Sequence, residues 1–186
     1  QIRPFVWRKS LDFGAIAEIG RLTRRIRAEH GKITKVGPGF DLKRARGGIR
    51  EIEFFAQGHQ LIHGGRNPAL REKGTRAALD ALAAAGLVDA DDARLLGESY
   101  DRLRTIEHRL QMVSDLQTHA LPRDMAAIDA VARLDGLPDG AALIAQIEGI
   151  TDAVGLRYDA LIAASAPLNA APVDAPVGMA LEAELA

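Results

Sequence analysis

An all-α fold, a helical bundle of about six helices, is predicted by three features of this sequence. Aromatic residues make up only 4% of the chain while Ala, Leu and Arg abound, a balance that favours helices over a sheet. Apolar side chains recur at spacings of three and four along several segments, the mark of one helix face turned to a core. Between those segments stand Gly, Pro and Asx signals, and no alternating run is long enough for a convincing strand.

Ser10 is placed to cap a first helix whose apolar positions are Phe13, Ile16, Ile19 and Ile26, with Gly31 as its stop. Residues 32–46 hold Gly37-Pro38-Gly39, a loop signature that no helix continues through. A second helix opens at Gly48 or Ile49, carries Ile49, Ile52, Phe55, His59 and Ile62 on one face, and ends near Gly64-Gly65. A loop through Asn67-Pro68 leads to a third helix near residues 75–85, stopped by Gly86. Asp89 starts a long fourth helix in an Asp89-x-x-Asp92 capping pattern, with the stripe Leu96, Tyr100, Leu103, Ile106, Leu110 and Val113. Asp124 caps a short helix to about Leu134, and Asp139 starts a last long one through Ile144, Ile147, Ile150, Val154, Tyr158 and Leu161. From Ala166 the composition turns to Ala and Pro. The domain reading is therefore a helical domain over residues 1–165 and a linker or tail, disordered or extended, over residues 166–186.

The 186 residues suffice for one domain with a core and are too few for two large ones. The absence of cysteine excludes disulfide scaffolds, thiolate zinc sites and cysteine nucleophiles. No apolar run approaches membrane-spanning length and no secretory signal is present, so a cytoplasmic protein without a membrane partner is the expectation. The chain opens Gln1-Ile2-Arg3-Pro4 and reads as a piece of something larger. Charge is split along it: residues 1–73 hold 16 Lys and Arg against 7 Asp and Glu, while the remainder is acidic. Such a basic half either faces phosphate groups or is simply a solvated helix surface.

Few constellations carry chemistry. His59 and His63 have the four-residue spacing of a zinc pair, but the general-base position beside the first is Gln60 and no third ligand follows. No metal site is expected, and a satisfied pair at a helix end is the better reading. Glu107-His108 and Thr118-His119 read as isolated pairs, without the partners of a nucleophilic triad. No phosphate-binding loop ending in Lys-Ser or Lys-Thr occurs.

The densest segment is Gly47-Gly48-Ile49-Arg50-Glu51-Ile52-Glu53-Phe54-Phe55, preceded by Asp41-Leu42-Lys43-Arg44-Ala45-Arg46. Glycines beside a helix start let the loop approach an anion or another backbone. Lys43, Arg44 and Arg46 stand just before that start. Arg50 can pair with Glu53 three residues on, and Glu53, between Ile52 and Phe54, is expected to be half-buried with a partner. Two readings stay open: a salt-bridge network that locks the bundle, or a polar surface turned to a neighbouring active site.

These residues, with Gln57, Gln60-Leu61-Ile62 and Gly64-Gly65-Arg66-Asn67-Pro68, resemble the bacterial bifunctional glutamine synthetase adenylyltransferase/adenylyl-removing enzymes. The segments at 103–111 and 118–122 and the entry Arg3-Pro4-Phe5-Val6-Trp7-Arg8 fit the same family. The resemblance implies two related halves, each joining a nucleotidyltransferase domain to a helical one. One half attaches AMP to a tyrosine of glutamine synthetase and the other removes it by phosphorolysis; the Gly-Gly-Ile-Arg-Glu-Ile-Glu-Phe string is that of the adenylyl-removing half. It further implies Mg2+ with ATP or phosphate as cofactors of the whole enzyme. The implied partners are the nucleotidyltransferase domain of the same chain, glutamine synthetase and the PII signal protein. The metal-binding carboxylate patterns of the nucleotidyltransferase domain do not occur here. No catalytic residue is therefore expected in this chain, which is expected to be inactive alone. Lys43, Arg46, Gly47, Gly48, Arg50, Glu51 and Glu53 are candidates for an interdomain position bordering the active site. The alternative is a free-standing nucleic-acid-binding module using the basic half, although scarce aromatics argue against stacking on single strands.

Overall fold

The computed structural model describes Trp7 and residues 14–30 and 33–164, so the expected Ser10 cap, the Gly31 stop and the tail from Ala166 lie outside the described residues. Within them the chain is all-α, with six α-helices: α1 Gly14–His30, α2 Ile49–His63, α3 Thr75–Ala84, α4 Ala90–Ser114, α5 Met125–Leu134 and α6 Gly140–Ala164. The loop through Asn67 and Pro68 contains one 3-10 turn, Pro68–Leu70, capped by the Asn67 side chain accepting from Ala69 N–H. The only extended pairing among the described residues is an isolated antiparallel bridge between Asp41 and Ala120.

The caps follow local chemistry. Asp89 accepts from the N–H groups of Asp91 and Asp92, Asp124 from those of Ala126 and Ala127, and Asp139 from that of Ala142. The expected reciprocal box at Asp89 is only half made, because the Asp92 carboxylate accepts from Arg157 Nε at 2.7 Å instead. A contact between α4 and α6 thus wins over a local one. Gly86, at φ 67°, ends α3 in the left-handed conformation that suits glycine.

α2 is the hub, packing against α1, α3, α4 and α6. Ile49 and Ile52 of α2, Leu96, Leu103, Ile106 and Leu110 of α4, and Leu143, Ile147 and Val154 of α6 are fully buried in one continuous core. The α4 stripe stops a turn early, since Val113 is 41% exposed beside exposed Met112 and Leu116. On α6 the inner face is led by Leu143, with Ile144, Ile150 and Leu161 only partly covered. The turn after α5 is held by Asp135, whose Oδ1 accepts from Arg102 Nη1 at 3.0 Å and Arg109 Nε at 2.5 Å. Those guanidiniums hold its carboxyl below the usual carboxylate range, the Arg102 hydrogen bond foremost. No helix among the described residues is long and apolar enough to cross a membrane.

Candidate functional site

The approach to α2 is built from backbone. Asp41 Oδ1 accepts from the N–H groups of Lys43 at 2.9 Å and Arg44 at 2.8 Å, folding residues 41–45 into a tight turn around buried Leu42. The first N–H groups of α2 are then taken by that turn: Ile49 donates to Leu42 O at 2.9 Å and Arg50 to Lys43 O at 3.1 Å. Glu51 N–H donates to Gly48 O at 3.0 Å. The glycines therefore admit another backbone rather than an anion. A Cβ on Gly48 would lie 2.6 Å from Leu42 O, and Gly47, at φ 73°, leaves only 1.8 Å between such an atom and Thr151 O of α6.

Glu51 is the buried carboxylate of this segment, 2% exposed. Its Oε2 accepts from Gly47 N–H at 2.8 Å and its Oε1 from Arg27 Nε of α1 at 2.6 Å. Arg27 Nη1 donates to Asp159 Oδ1 of α6 at 3.0 Å, and Asp159 Oδ2 accepts from Arg46 Nε at 3.0 Å. Burial pushes the Arg27 guanidinium down, but Glu51 and Asp159 outweigh it and hold its pKa above the ordinary value. One chain of charge-assisted hydrogen bonds thus joins α1, the loop before α2, α2 and α6. For Arg46, Gly47, Gly48 and Glu51 the lock reading describes the contacts made.

The other candidates are placed differently. Lys43, Arg50 and Glu53 are each half-buried, and among the described residues none makes an ion pair. The expected Arg50–Glu53 pair does not form, and among the described residues Glu53 has no ion-pair or hydrogen-bond partner on its side chain. Sharing helix phase with Arg50 and Glu53 are exposed Gln57 and Phe54, which packs partly against the core, so one side of α2 presents a largely polar face that the described bundle covers only in part. Ile52 takes the inward position beside Glu53, which explains why apolar neighbours did not force Glu53 into the core.

The histidines also differ from expectation. The His59 and His63 rings stack at 6.1 Å, but buried His59 Nδ1 has no hydrogen-bond partner, so the pair is not satisfied. Burial, with the His63 ring adding to it, lowers the His59 pKa from 6.5 to about 4. Above pH 6.5 the ring is neutral both folded and unfolded. As pH falls from 6.5 to about 4, the unfolded chain takes up a proton that the folded chain refuses, and stability is lost. Urea denaturation at pH 7 and pH 4 is expected to show a loss in this chain that a His59→Phe variant lacks, up to about 3 kcal/mol.

Glu107 and His119 are not isolated. Glu107 is fully buried; its Oε1 accepts from His119 Nδ1 at 2.5 Å, and its Oε2 accepts from Arg104. The two are 12 positions apart in sequence, a separation no local pattern marks. Of the basic half, Arg21, Arg25, Arg27 and Arg46 are paired with carboxylates. Among the described residues no three His, Cys, Asp or Glu side chains gather to hold a metal ion.

A family model described as GlnD PII-uridylyltransferase matches residues 20–161. The chain belongs to that family. It is 43% identical over 175 residues to the bifunctional glutamine synthetase adenylyltransferase/adenylyl-removing enzyme of Bradyrhizobium diazoefficiens, covering 94% of this chain and 18% of that protein. Its counterpart from Xanthobacter autotrophicus is 44% identical over 90% of this chain, and that from Caulobacter vibrioides 45% over 90%, each across 17% of the relative. The resemblance drawn from the segment at 47–54 is borne out. The chain spans less than a fifth of the length of these relatives. The match includes α2, α4 and the loop bearing His119, and the comparisons lend no support to a nucleic-acid-binding module.

Proposed function

We propose that this chain is the helical domain of the adenylyl-removing half of a glutamine synthetase adenylyltransferase, and that it acts by packing beside a nucleotidyltransferase domain. The observation that carries this reading is 43% identity over 94% of the chain to a relative with that bifunctional name. The whole enzyme then works in the cytoplasm and controls nitrogen assimilation by reversible AMP attachment to a glutamine synthetase tyrosine. The PII signal protein is its regulatory partner. In the removing reaction a phosphate oxygen attacks the AMP phosphorus as the tyrosyl oxygen leaves, yielding ADP and a glutamine synthetase whose tyrosine side chain is unmodified. Divalent metal, when bound by the nucleotidyltransferase domain, neutralises charge developing on the phosphoryl group. No step is assigned to this chain's residues. Their work is mechanical: Glu51, Gly47, Arg27, Arg46 and Asp159 brace the bundle, so that Lys43, Arg50 and Glu53 are held at fixed positions facing the neighbouring domain.

Two measurements test this. The 186-residue chain is expected to remove no AMP from adenylylated glutamine synthetase, and turnover by this polypeptide alone would overturn the proposal. In the whole enzyme, Arg50→Gln and Glu53→Gln are each expected to cut adenylyl removal roughly tenfold, while leaving the thermal stability of this chain within about 0.5 kcal/mol. Equal loss of stability and activity would return both residues to the lock.

A further inference from the structure

We infer that the groove between the second half of α1 and the end of α6 is a binding site for a small amphipathic carboxylic acid, whose carboxylate pairs with Arg24 while its apolar body lies against Gly20, Ile162 and Ala163. The groove has a volume of about 300 Å³, at the lower end of the range for small-molecule sites. Helix period builds one wall: Gly20, Thr23, Arg24 and Arg27 stand at i, i+3, i+4 and i+7 on α1. Tyr158, Asp159, Ile162 and Ala163 of α6 form the other. Thr23 and Tyr158 are both buried, and their hydroxyls tie the two walls together with a hydrogen bond of 2.7 Å. A Cβ on Gly20 would lie 2.8 Å from Ile162 Cγ2 and 3.7 Å from Arg24 Nη1, so the Arg24 guanidinium and the Ile162 side chain flank one point of the groove.

Charge selects the ligand. The Arg27 guanidinium is already matched by Glu51 and Asp159, and Arg46 takes the second oxygen of Asp159. Arg24 is not matched in this way. Its neighbours three and four residues away on the helix are Gly20, Arg21, Arg27 and Ala28, none of them acidic, and among the described residues it makes no ion pair. Arg21 and Arg25 on either side of it are paired, with Glu18 and Glu29. Arg24 therefore adds one uncompensated positive charge to the groove, and a guanidinium stays protonated at any working pH. That surplus excludes a cation as ligand, since both oxygens of Asp159 are engaged. A carboxylate brings a single negative charge and two oxygens that accept from the guanidinium fork. A phosphate monoester would bring further negative charge beside Asp159 and meet no second unmatched cation among the groove residues.

Size and surface decide against a bare inorganic anion. The volume exceeds what such an ion fills, and the side chains of Ile162 and Ala163 offer it no donor. An apolar body displaces water from those positions, which is where the second part of the binding free energy arises. The inference uses only α1, α6 and the charge between them, and it does not rest on the function proposed above.

The test is a titration of the 186-residue chain with benzoate at constant ionic strength, following backbone amide signals by NMR, with acetate, benzamide and phenyl phosphate as comparison ligands. Benzoate is expected to shift the signals of residues 20–27 and 158–163 and to saturate. Acetate lacks the apolar body and benzamide lacks the charge, and each is expected to bind roughly tenfold more weakly or worse. Arg24 is exposed, so Arg24→Gln is expected to leave the helical circular-dichroism spectrum unchanged. The same variant is expected to weaken benzoate roughly tenfold and to leave benzamide as it was. The inference is overturned by benzoate shifts that never saturate or that spread beyond the two helices, by benzamide binding as well as benzoate, or by undiminished benzoate affinity in Arg24→Gln. Tighter binding of phenyl phosphate than of benzoate overturns the choice of a carboxylate.

Discussion

Gly47→Ala is expected to destabilise this chain by roughly 4 kcal/mol or more, the largest effect of any single methyl group in the α2 approach. Two costs coincide at that residue. Its φ of 73° lies in the left-handed region, which disfavours a side chain, and the added Cβ would stand 1.8 Å from Thr151 O. Thr151 O belongs to the backbone of α6, so no rotamer change relieves the clash; the loop and α6 must separate. Separation also breaks the Gly47 N–H bond to Glu51 Oε2. Thermal or urea denaturation of the variant reads the effect directly, and a loss below about 1 kcal/mol would mean that α6 does not seat against this loop in solution. Gly86→Ala is a useful contrast: its φ is 67° but nothing lies within 4 Å of an added Cβ, so only the conformational cost of about 1 kcal/mol remains.

Glu51→Ala is expected to cost about 3 kcal/mol, at the lower end of the range for breaking a buried pair, because Arg27 keeps Asp159 as a partner. The substitution strands Gly47 N–H and Arg27 Nε together, and Arg27 Nη2 is already buried without a partner. Glu51→Gln keeps an acceptor but removes the charge and is expected to cost about half as much. The same change at Glu53, two residues away, is expected to cost nothing measurable in this chain. Comparing urea midpoints of the three variants separates a buried brace from a surface group within one short segment. Equal effects at Glu51 and Glu53 would sink that assignment.

Much of the fold was legible because its signals are local. The α2 boundaries, the Gly86 stop and the Asp89 and Asp124 caps each depend on a few consecutive residues and the period of one helix. The site was legible only in outline. The glycines and charges at 41–53 marked the right segment, yet which carboxylate entered the core could not be read from neighbours. Ile52 and Phe55 point inward on α2, and helix phase carries Glu51 with them toward α1 while turning Glu53 away. The expected i to i+3 pair of Arg50 and Glu53 lost little by staying apart, since a helix-surface pair of that kind is worth only a few tenths of a kcal/mol. Glu107 and His119 were missed for a plainer reason: their contact closes a loop, and no periodicity announces it.

Composition, helix period and capping residues were enough to set six helices in order and, through the string at 47–54, to place the chain in its family. Those properties depend on short-range backbone preference and on which residues follow one another. Partner choice did not. Arg27 reaches 24 residues to Glu51 and 132 to Asp159, and His119 takes Glu107 rather than any neighbour in sequence. A buried charge must find a counter-charge wherever packing brings one within about 3 Å, and only the assembled bundle fixes which one that is. Tertiary packing therefore divided the charged segment in two, with Glu51 drawn into the brace and Lys43, Arg50 and Glu53 left facing outward.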